Sequence, residues 1–310
     1  MTMQTHRPGD RERLTGDLIL LIVALIWGSG FVAQRVAADH LSPLMYNGMR
    51  FLLGALVILP WTAGRLRGFT RAEWLGGTLA GVLLFAASLF QQTGLQFTTA
   101  GKAGFITGLY VIIVPLLLAV VWRQWPRLSA WVAALLATGG LFMLSSPGRV
   151  TLAPGDGWIV ACAVIWALHV ILIGRLAPAT DAPRLAVIQF TVCAILSLTL
   201  ALAFSCDSVE GLFASGWAII YSGVTSVGIG FSLQVVGQRN SPPIDAAVIL
   251  SLESVSAAVF GWLLLGEKMT SLQILGCGLM LAGMLVAQFR PATSIPGETE
   301  LIRKPVSRQQ

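Results

Sequence analysis

Apolar segments of about twenty residues recur along nearly the whole chain, and this recurrence constrains the fold most. A helix of twenty residues rises about 30 Å, which matches the hydrocarbon core of a bilayer. Only 11% of the residues are charged, about half the share of a soluble protein. The sequence predicts an all-α integral membrane protein with ten transmembrane helices, numbered spans 1 to 10: 17–37, 43–61, 73–96, 101–122, 128–146, 156–177, 184–204, 214–236, 243–265 and 271–289.

The basic residues predict how these spans are oriented. With the N-terminus in the cytoplasm, fifteen of the twenty Lys and Arg residues fall in cytoplasmic loops and tails. This is the asymmetry that membrane insertion favours, and ten spans then place both termini in the cytoplasm. The pI of about 9.6 does not indicate nucleic-acid binding, because the basic residues are scattered in short loops and form no patch.

Two stretches near the starts of the halves indicate an internal repeat. GDLILLIVALIW (16–27) and GDGWIVACAVIW (155–166) share five residues at an offset of 139, and the same offset relates Pro115 to Ser254. Five spans per repeat is an odd number, so the second repeat enters the membrane from the opposite side. Such inverted repeats are typical of secondary transporters, whose substrate site lies near the bilayer midplane between them.

The predicted organisation follows from this repeat. A cytoplasmic N-terminal tail covers 1–16, the first five-helix repeat covers 17–146, the inverted second repeat covers 155–290, and a cytoplasmic C-terminal tail covers 291–310.

Motifs in both halves resemble the EamA-type family of the drug/metabolite transporter superfamily. They are GLQFTTAGKAGFITGLYVIIVPLL (94–117), WGSGFVAQRVA (27–37), MRF (49–51) and LSLESVSAAVFGWLLLGEKMT (250–270). The resemblance implies a ten-helix, inverted-repeat carrier of the bacterial inner membrane that works by alternating access. Within the superfamily the chain looks most similar to exporters of amino acids, aromatic ones in particular. The alternatives are a carrier of drugs or other metabolites and, in a different class, a signalling or assembly protein without solute flux.

The chain departs from the family at one motif. EamA-type proteins usually have Glu-Pro where this chain has Glu253-Ser254, which puts the expected bend of span 9 in doubt, although Pro115 remains in span 4.

No motif of an enzyme or of a metal site is recognisable in the sequence. There is no CxxC pair, no GxSG or GxGD motif and no Walker A loop. We therefore expect no catalytic residues, no cofactor and no metal. The expected partners are a small-molecule substrate and the lipid bilayer, without nucleic acid. A monomer is compatible with the sequence, which leaves open the oligomeric state, the substrate, the coupling ion and the transport direction.

Spans 1, 3, 4, 6, 8 and 9 are predicted to line a central cavity. Trp27 and Trp166 lie at mid-depth and are related by the repeat, so they would stack on a ring of the substrate or else pack the core. Polar groups in the other spans would contact substrate or hydrogen-bond between helices, two interpretations that the sequence does not separate. The predicted cavity residues are Trp27, Gln91, Gln92, Tyr110, Trp166, His169, Tyr221 and Thr225.

Two charged residues lie inside predicted spans, where charge is costly and marks function. Glu253 lies about 15 Å from the cytoplasmic end of span 9 by helical rise. It would exchange a proton as access alternates, or it would hold the helix through hydrogen bonds near the bend. Arg50 in span 2 would bind a substrate carboxylate, form a structural ion pair or extend its head toward the interface.

Overall fold

The computed structural model describes residues 10–62, 64, 68–98, 100–145, 154–265 and 269–288. Among these residues the only regular elements are helices. They are α1 (Asp10–Ala38), α2 (Pro43–Thr62), α3 (Arg71–Leu95), α4 (Ala100–Gly108), α5 (Tyr110–Val120), α6 (Leu128–Ser145), α7 (Asp156–Leu176), α8 (Ala182–Phe204), α9 (Val209–Ala214), α10 (Gly216–Tyr221), a π-helical segment (Ser222–Phe231), α11 (Ser232–Gln238), α12 (Pro243–Leu250), α13 (Glu253–Leu265) and α14 (Ser271–Gln288).

The helices coincide with the ten predicted spans, and the all-α membrane fold is confirmed. Eight helical segments are long and apolar enough to cross a bilayer, and α6 and α14 are shorter apolar helices. Spans 4, 8 and 9 are not single α-helices. Span 4 is α4 and α5, span 8 runs from α9 to α11 through the π-helical segment, and span 9 is α12 and α13. The first helix begins at Asp10, inside the predicted N-terminal tail, and the predicted tail 291–310 lies outside the described residues.

Side-chain caps explain where several helices begin. The Thr70 hydroxyl accepts a hydrogen bond from the Glu73 N–H and the Glu73 carboxylate accepts one from the Thr70 N–H, forming a capping box at the start of α3. Asp181 and Ser208 accept from the backbone N–H groups of Arg184 and Gly211 in the same way. These polar starts place the helix ends at the membrane surfaces and leave the apolar interiors to span the bilayer.

The packing between the halves has the symmetry of two inverted repeats. Span 1 packs on spans 8 and 9, and its repeat partner, span 6, packs on the corresponding spans 3 and 4. Span 2 packs on span 7, and span 5 packs on span 10, so each of these helices meets its own repeat partner. These contacts between the halves therefore occur in corresponding pairs, as expected for two inverted repeats.

The two interrupted spans, 4 and 9, break for different reasons. In span 4, Leu109 separates α4 from α5, six residues before Pro115, whose ring cannot donate to the preceding turn. Span 9 breaks at Ser251 and Leu252 although it has no proline. Here the Ser251 hydroxyl donates to the Val248 carbonyl at 2.8 Å and the Ser254 hydroxyl to the Gly104 carbonyl at 3.2 Å. Serine hydroxyls that bond backbone carbonyls bend helices, so span 9 keeps its bend.

A glycine of α1, Gly28, allows this helix to lie in close contact with span 9 just after its break. A Cβ atom at Gly28 would meet the Glu253 carbonyl and the Ser256 side chain, so only hydrogen fits there. Span 1 therefore lies directly against the first turn of α13, where Glu253 begins the helix.

Candidate functional site

A cavity lies between the two halves at mid-depth. The space between its lining residues is about 520 Å³, counting the part that is open to solvent. Spans 1, 2, 3, 4, 6, 8 and 9 all contribute to its wall, and no described residue of spans 5, 7 or 10 does. The lining residues are Trp27, Phe31, Gln34, Arg50, Gln91, Thr107, Tyr110, Trp166, Val170, Ser226, Phe231 and Glu253.

The aromatic wall of the cavity is built around Phe231, at the end of the π-helical segment. The Phe231 ring lies 4.6 Å from Trp27 and 5.6 Å from Trp166 between centroids, and it is nearly parallel to Trp166. The two tryptophans are 6.3 Å apart. The structure thus brings the repeat-related pair together at the cavity, in a cluster of three rings with a phenylalanine that sequence reasoning did not single out.

The two glutamines of span 3 that were predicted for the cavity have different positions in the structure. Gln91 lines it and donates to the Thr107 hydroxyl at 3.3 Å, which fixes its side chain. Its neighbour Gln92 is fully buried, away from the lining, and donates to the Gln34 carbonyl of span 1 at 2.9 Å. Gln92 therefore joins two helices, one of the two roles that the sequence left open.

The structure places three further predicted residues away from the cavity lining. His169 is fully buried and shares a hydrogen bond of 3.0 Å with Gln189, and its ring meets Trp166 edge-on at 5.5 Å. Tyr221 is hydrogen-bonded to the Ser29 hydroxyl at 2.5 Å, and the Thr225 hydroxyl donates to the Tyr221 carbonyl. His169 packs against the aromatic wall, Tyr221 connects span 8 to span 1, and Thr225 is bonded within span 8.

Several polar atoms on the lining have no hydrogen-bond partner among the described residues. They are the Gln34 side-chain oxygen, the Trp166 indole N–H and the Ser226 hydroxyl. Buried polar groups are normally satisfied, so unsatisfied ones around a cavity indicate contact with water or with a polar ligand. The Trp27 indole differs, because it donates to the Ser226 carbonyl at 3.2 Å.

Arg50 reaches the cavity from span 2, which sequence reasoning did not count among the lining helices. Its guanidinium donates through Nε to the Asn47 side chain at 3.0 Å and lies about 5 Å from the centroids of the Tyr46 and Phe51 rings. The side chain is 3% exposed, and it forms no ion pair with any described acidic residue.

Glu253 faces the same cavity from span 9. It is 5% exposed, lies close to the Tyr110 hydroxyl and forms no ion pair with any described basic residue, Arg50 included. The cavity thus contains one carboxyl group and one guanidinium that do not neutralise each other. The serines near the bend bond backbone carbonyls, and the side chain that interacts with the Glu253 carboxyl group is that of Tyr110 in span 4.

Ion pairs between the halves lie at the end of the bundle where α1 and α12 begin. Arg13 contacts Asp245 at 2.9 Å and Asp17 at 3.7 Å, and Arg127 contacts Asp245 at 3.6 Å. At the same end, Arg184 pairs with Glu73 at 3.4 Å. The cavity instead extends toward the opposite end, because Gln34 and Gln91 lie one turn before the ends of α1 and α3.

Sequence reasoning missed six lining residues: Phe31, Gln34, Thr107, Val170, Ser226 and Phe231. Phe31 and Gln34 follow Trp27 on the same helical face, so the i+4 and i+7 spacing was a usable signal. Ser226 and Phe231 lie in the π-helical segment, where that spacing does not hold. In the described part of the chain, no group of three or more His, Cys, Asp or Glu residues lies close enough to hold a metal ion.

Comparison with known proteins places this architecture in a family. The EamA-like transporter family matches the chain twice, at residues 14–146 and 153–288, once for each repeat. An uncharacterized transporter of Archaeoglobus fulgidus is 31% identical over 279 residues, covering 90% of this chain and 87% of that protein. The threonine/homoserine exporter RhtA of Salmonella typhimurium is 27% identical over 296 residues, covering 89% and 94%.

A solved crystal structure has the same fold. It aligns with a TM-score of 0.75 at 21% identity and covers 89% of this chain and 98% of that one.

Proposed function

The chain belongs to the EamA-like transporter family, and from the chemistry of its cavity we propose that it exports amino acids, with aromatic amino acids preferred. It would act as a secondary carrier, in which the two repeats rock against each other and expose the cavity to either side in turn.

One observation carries this proposal: a guanidinium and a carboxyl group face one cavity without forming an ion pair with each other. Burying an unpaired charge is costly, so a ligand group of opposite charge at either position would stabilise the charged form. An amino acid supplies both, because its carboxylate would meet Arg50 and its ammonium group would meet Glu253. A purely anionic or purely cationic solute would satisfy only one of the two groups.

The rest of the cavity wall supports an aromatic side chain. Trp27, Trp166, Phe231 and Phe31 offer ring faces and edges, on which another ring packs at about 0.5–1.5 kcal/mol beyond its area burial. RhtA is named a threonine/homoserine exporter, which supports amino acids as the substrate class. The preference for aromatic members rests on the rings of this chain alone.

The proposed location is the bacterial inner membrane with both termini in the cytoplasm. Arg13, Arg127 and Arg184 lie at the same end of the bundle, as the asymmetry of basic residues requires for a cytoplasmic face. The cavity would then extend toward the outer face.

Transport into liposomes tests the proposal. Purified protein reconstituted into vesicles should accumulate labelled phenylalanine and tryptophan faster than threonine, and each unlabelled amino acid should compete. A panel of organic cations and other metabolites is measured beside them. Flux of the cations with no flux of any amino acid would indicate that the protein is a drug carrier and would refute the proposal. The absence of flux for every compound of the panel would refute the proposal that the protein is a carrier.

The variant Glu253→Gln tests the role of the carboxyl group. We expect flux of phenylalanine to fall about 10- to 100-fold, because a charged hydrogen bond to the ammonium group is lost while the shape is kept. The matched control is Glu210→Gln, the same change at an exposed position on α9, which should leave flux unaltered.

Measuring both variants with and without a pH gradient separates two roles of Glu253. If the carboxyl group also carries a proton, the residual flux of Glu253→Gln no longer responds to the gradient. Normal flux in Glu253→Gln would show that the carboxyl group is structural.

A further inference from the structure

We propose that Arg50 is a preformed carboxylate anchor, held in place by Asn47, and that it selects substrates with a carboxylate group. This inference rests on the proposed function and deepens it. It assigns span 2 to the site, and it makes Asn47, which is not on the cavity wall, a positioning residue.

The first step is the electrostatic state of Arg50. A guanidinium stays protonated at any physiological pH and presents five N–H donors in a rigid, planar fork. Only one of these, at Nε, donates to a side-chain acceptor with short geometry, the Asn47 amide oxygen. The other close groups among the described residues are the Tyr46 and Phe51 rings, the Tyr46 hydroxyl and the Cys193 thiol, and none of them carries a full negative charge at neutral pH.

The second step is the direction of the remaining donors. The Arg50 side chain is 97% buried, yet it is part of the cavity wall. With Nε held by Asn47, the terminal nitrogens are the donors left for the cavity. Two parallel N–H groups match the two oxygens of a carboxylate, a pairing that is shorter and stronger than a neutral hydrogen bond.

The third step is how firmly the anchor is held. Asn47 lies one turn before Arg50 on α2, so its amide reaches Nε within the same helix. Tyr46 is fixed by a hydrogen bond of 2.7 Å with the Ser222 hydroxyl of the second half. The Tyr46 and Phe51 rings then contact the guanidinium and stabilise the charge before any ligand arrives. The protein thus supplies orientation and partial compensation and leaves the anionic partner to the ligand.

A cycle of protein and ligand changes tests the anchor. Binding to purified protein in detergent is measured by calorimetry for L-phenylalanine and L-phenylalaninamide, which lacks the carboxylate. The wild type should bind phenylalanine about 10- to 100-fold more tightly than the amide, and Arg50→Gln should bind both alike. Arg50→Lys should recover only part of the preference, because it lacks the fork. Arg35→Gln, an exposed arginine of α1, is the matched control and should behave as the wild type.

Asn47 is tested as a positioning residue in the same cycle. Asn47→Ala should reduce the preference for phenylalanine over its amide without affecting the affinity for the amide, since only the orientation of the fork changes. Asn47→Asp would place a carboxylate beside the Arg50 guanidinium and form an ion pair with it, which should abolish the preference for phenylalanine over its amide. An unchanged preference in both variants would overturn the positioning role.

A second ligand pair keeps this test independent of the proposed function. 3-Phenylpropionate and its amide have no ammonium group, so they report on the carboxylate alone. If the wild type moves no amino acid but still prefers 3-phenylpropionate in an Arg50-dependent way, the proposed function fails and the anchor stands. If amino acids are transported and Arg50→Gln keeps the preference for both carboxylates, the function stands and the anchor is refuted. If no carboxylate binds better than its amide, the anchor is refuted as well.

Discussion

The two halves of the molecule share a scaffold and differ at the site, and spans 2 and 7 show this most directly. The offset of 139 that relates the repeats pairs Phe51 with Phe190 and Arg50 with Gln189. The two phenylalanines meet at 6.3 Å between ring centroids near the centre of the bundle. Next to them, Arg50 extends its charge into the cavity, whereas Gln189 is fully buried and hydrogen-bonded to His169.

For the carboxyl group of Glu253 the asymmetry is reversed, because here the second half has the charged residue and the first half the uncharged one. The same offset relates Glu253, on the cavity wall, to Val114, which is fully buried in the main core. Each half thus contributes one charge, from a different span, and its counterpart in the other half is uncharged. Packing between repeats needs symmetry, but a single substrate with two unlike ends does not. Symmetric positions therefore form the scaffold, and the symmetry is broken at the buried charged positions of the cavity wall.

The largest effect is expected when the charge of Arg50 is copied to its symmetric position. Gln189→Arg would bury a guanidinium beside His169, away from the cavity, and should destabilise the protein by about 3–5 kcal/mol. The measurement is the midpoint of thermal unfolding in detergent, together with the yield of monodisperse protein.

The converse change, Arg50→Gln, is the control for that prediction. It removes an unpaired buried charge and should leave the unfolding midpoint as high as in the wild type or higher. Equal tolerance of both changes would contradict the asymmetry, because it would mean that span 7 can host a charge as well as span 2.

Much of the scaffold was predictable from the sequence, since it follows from hydrophobic length and periodicity. The ten spans, the inverted repeat and the pairing of Trp27 with Trp166 depend on residue type and spacing alone. The orientation of polar side chains was not predictable in this way. Gln91 and Gln92 are adjacent and chemically identical, yet only Gln91 faces the cavity, because the rotation of α3 is set by its contacts with α7 and α8.

A smaller effect should separate the two tryptophans. Trp27→Phe removes the hydrogen bond from the indole to the Ser226 carbonyl and should lower the free energy of unfolding by about 1 kcal/mol. Trp166→Phe removes no hydrogen bond to a described residue, so stability should change by less than about 0.5 kcal/mol. Its indole N–H is available to a ligand instead, and affinity for phenylalanine should fall about 3- to 10-fold.

Thermal unfolding and calorimetric titration of both variants check this pair. If Trp166→Phe lost stability and kept affinity, the indole would belong to the core and not to the ligand site. Trp27→Phe serves as the reference, because it also replaces an indole by a phenyl ring but removes no free N–H donor.

The π-helical segment shows a second limit of sequence reasoning. Tyr221 and Thr225 have the spacing of one helical face, and Ser222 and Ser226 follow the same rule. The chain widens to a π-helix from Ser222 to Phe231, so these residues rotate relative to an α-helix, and Ser226 and Phe231 reach the cavity while Tyr221 and Thr225 do not. Gly223, Gly228 and Gly230 occur in this segment, but glycine content alone does not predict a π-helix.

The smallest effect is expected where the chain departs from its family, at Ser254. Restoring the Glu-Pro motif with Ser254→Pro places proline in the first turn of α13, where its missing N–H is least costly. It would remove the hydrogen bond from the Ser254 N–H to the Ser251 carbonyl at 3.2 Å and that from its hydroxyl to the Gly104 carbonyl. The rigid ring restricts the unfolded chain and offsets part of this loss, so we expect the free energy of unfolding to change by less than about 1 kcal/mol.

The same substitution one turn later, Ala257→Pro, is the control: it lies in the interior of α13 and should cost about 3 kcal/mol or more. If Ser254→Pro were as damaging as Ala257→Pro, the serines would be an irreplaceable part of the bend, and span 9 would differ from span 4 in how it is built as well as in its residues.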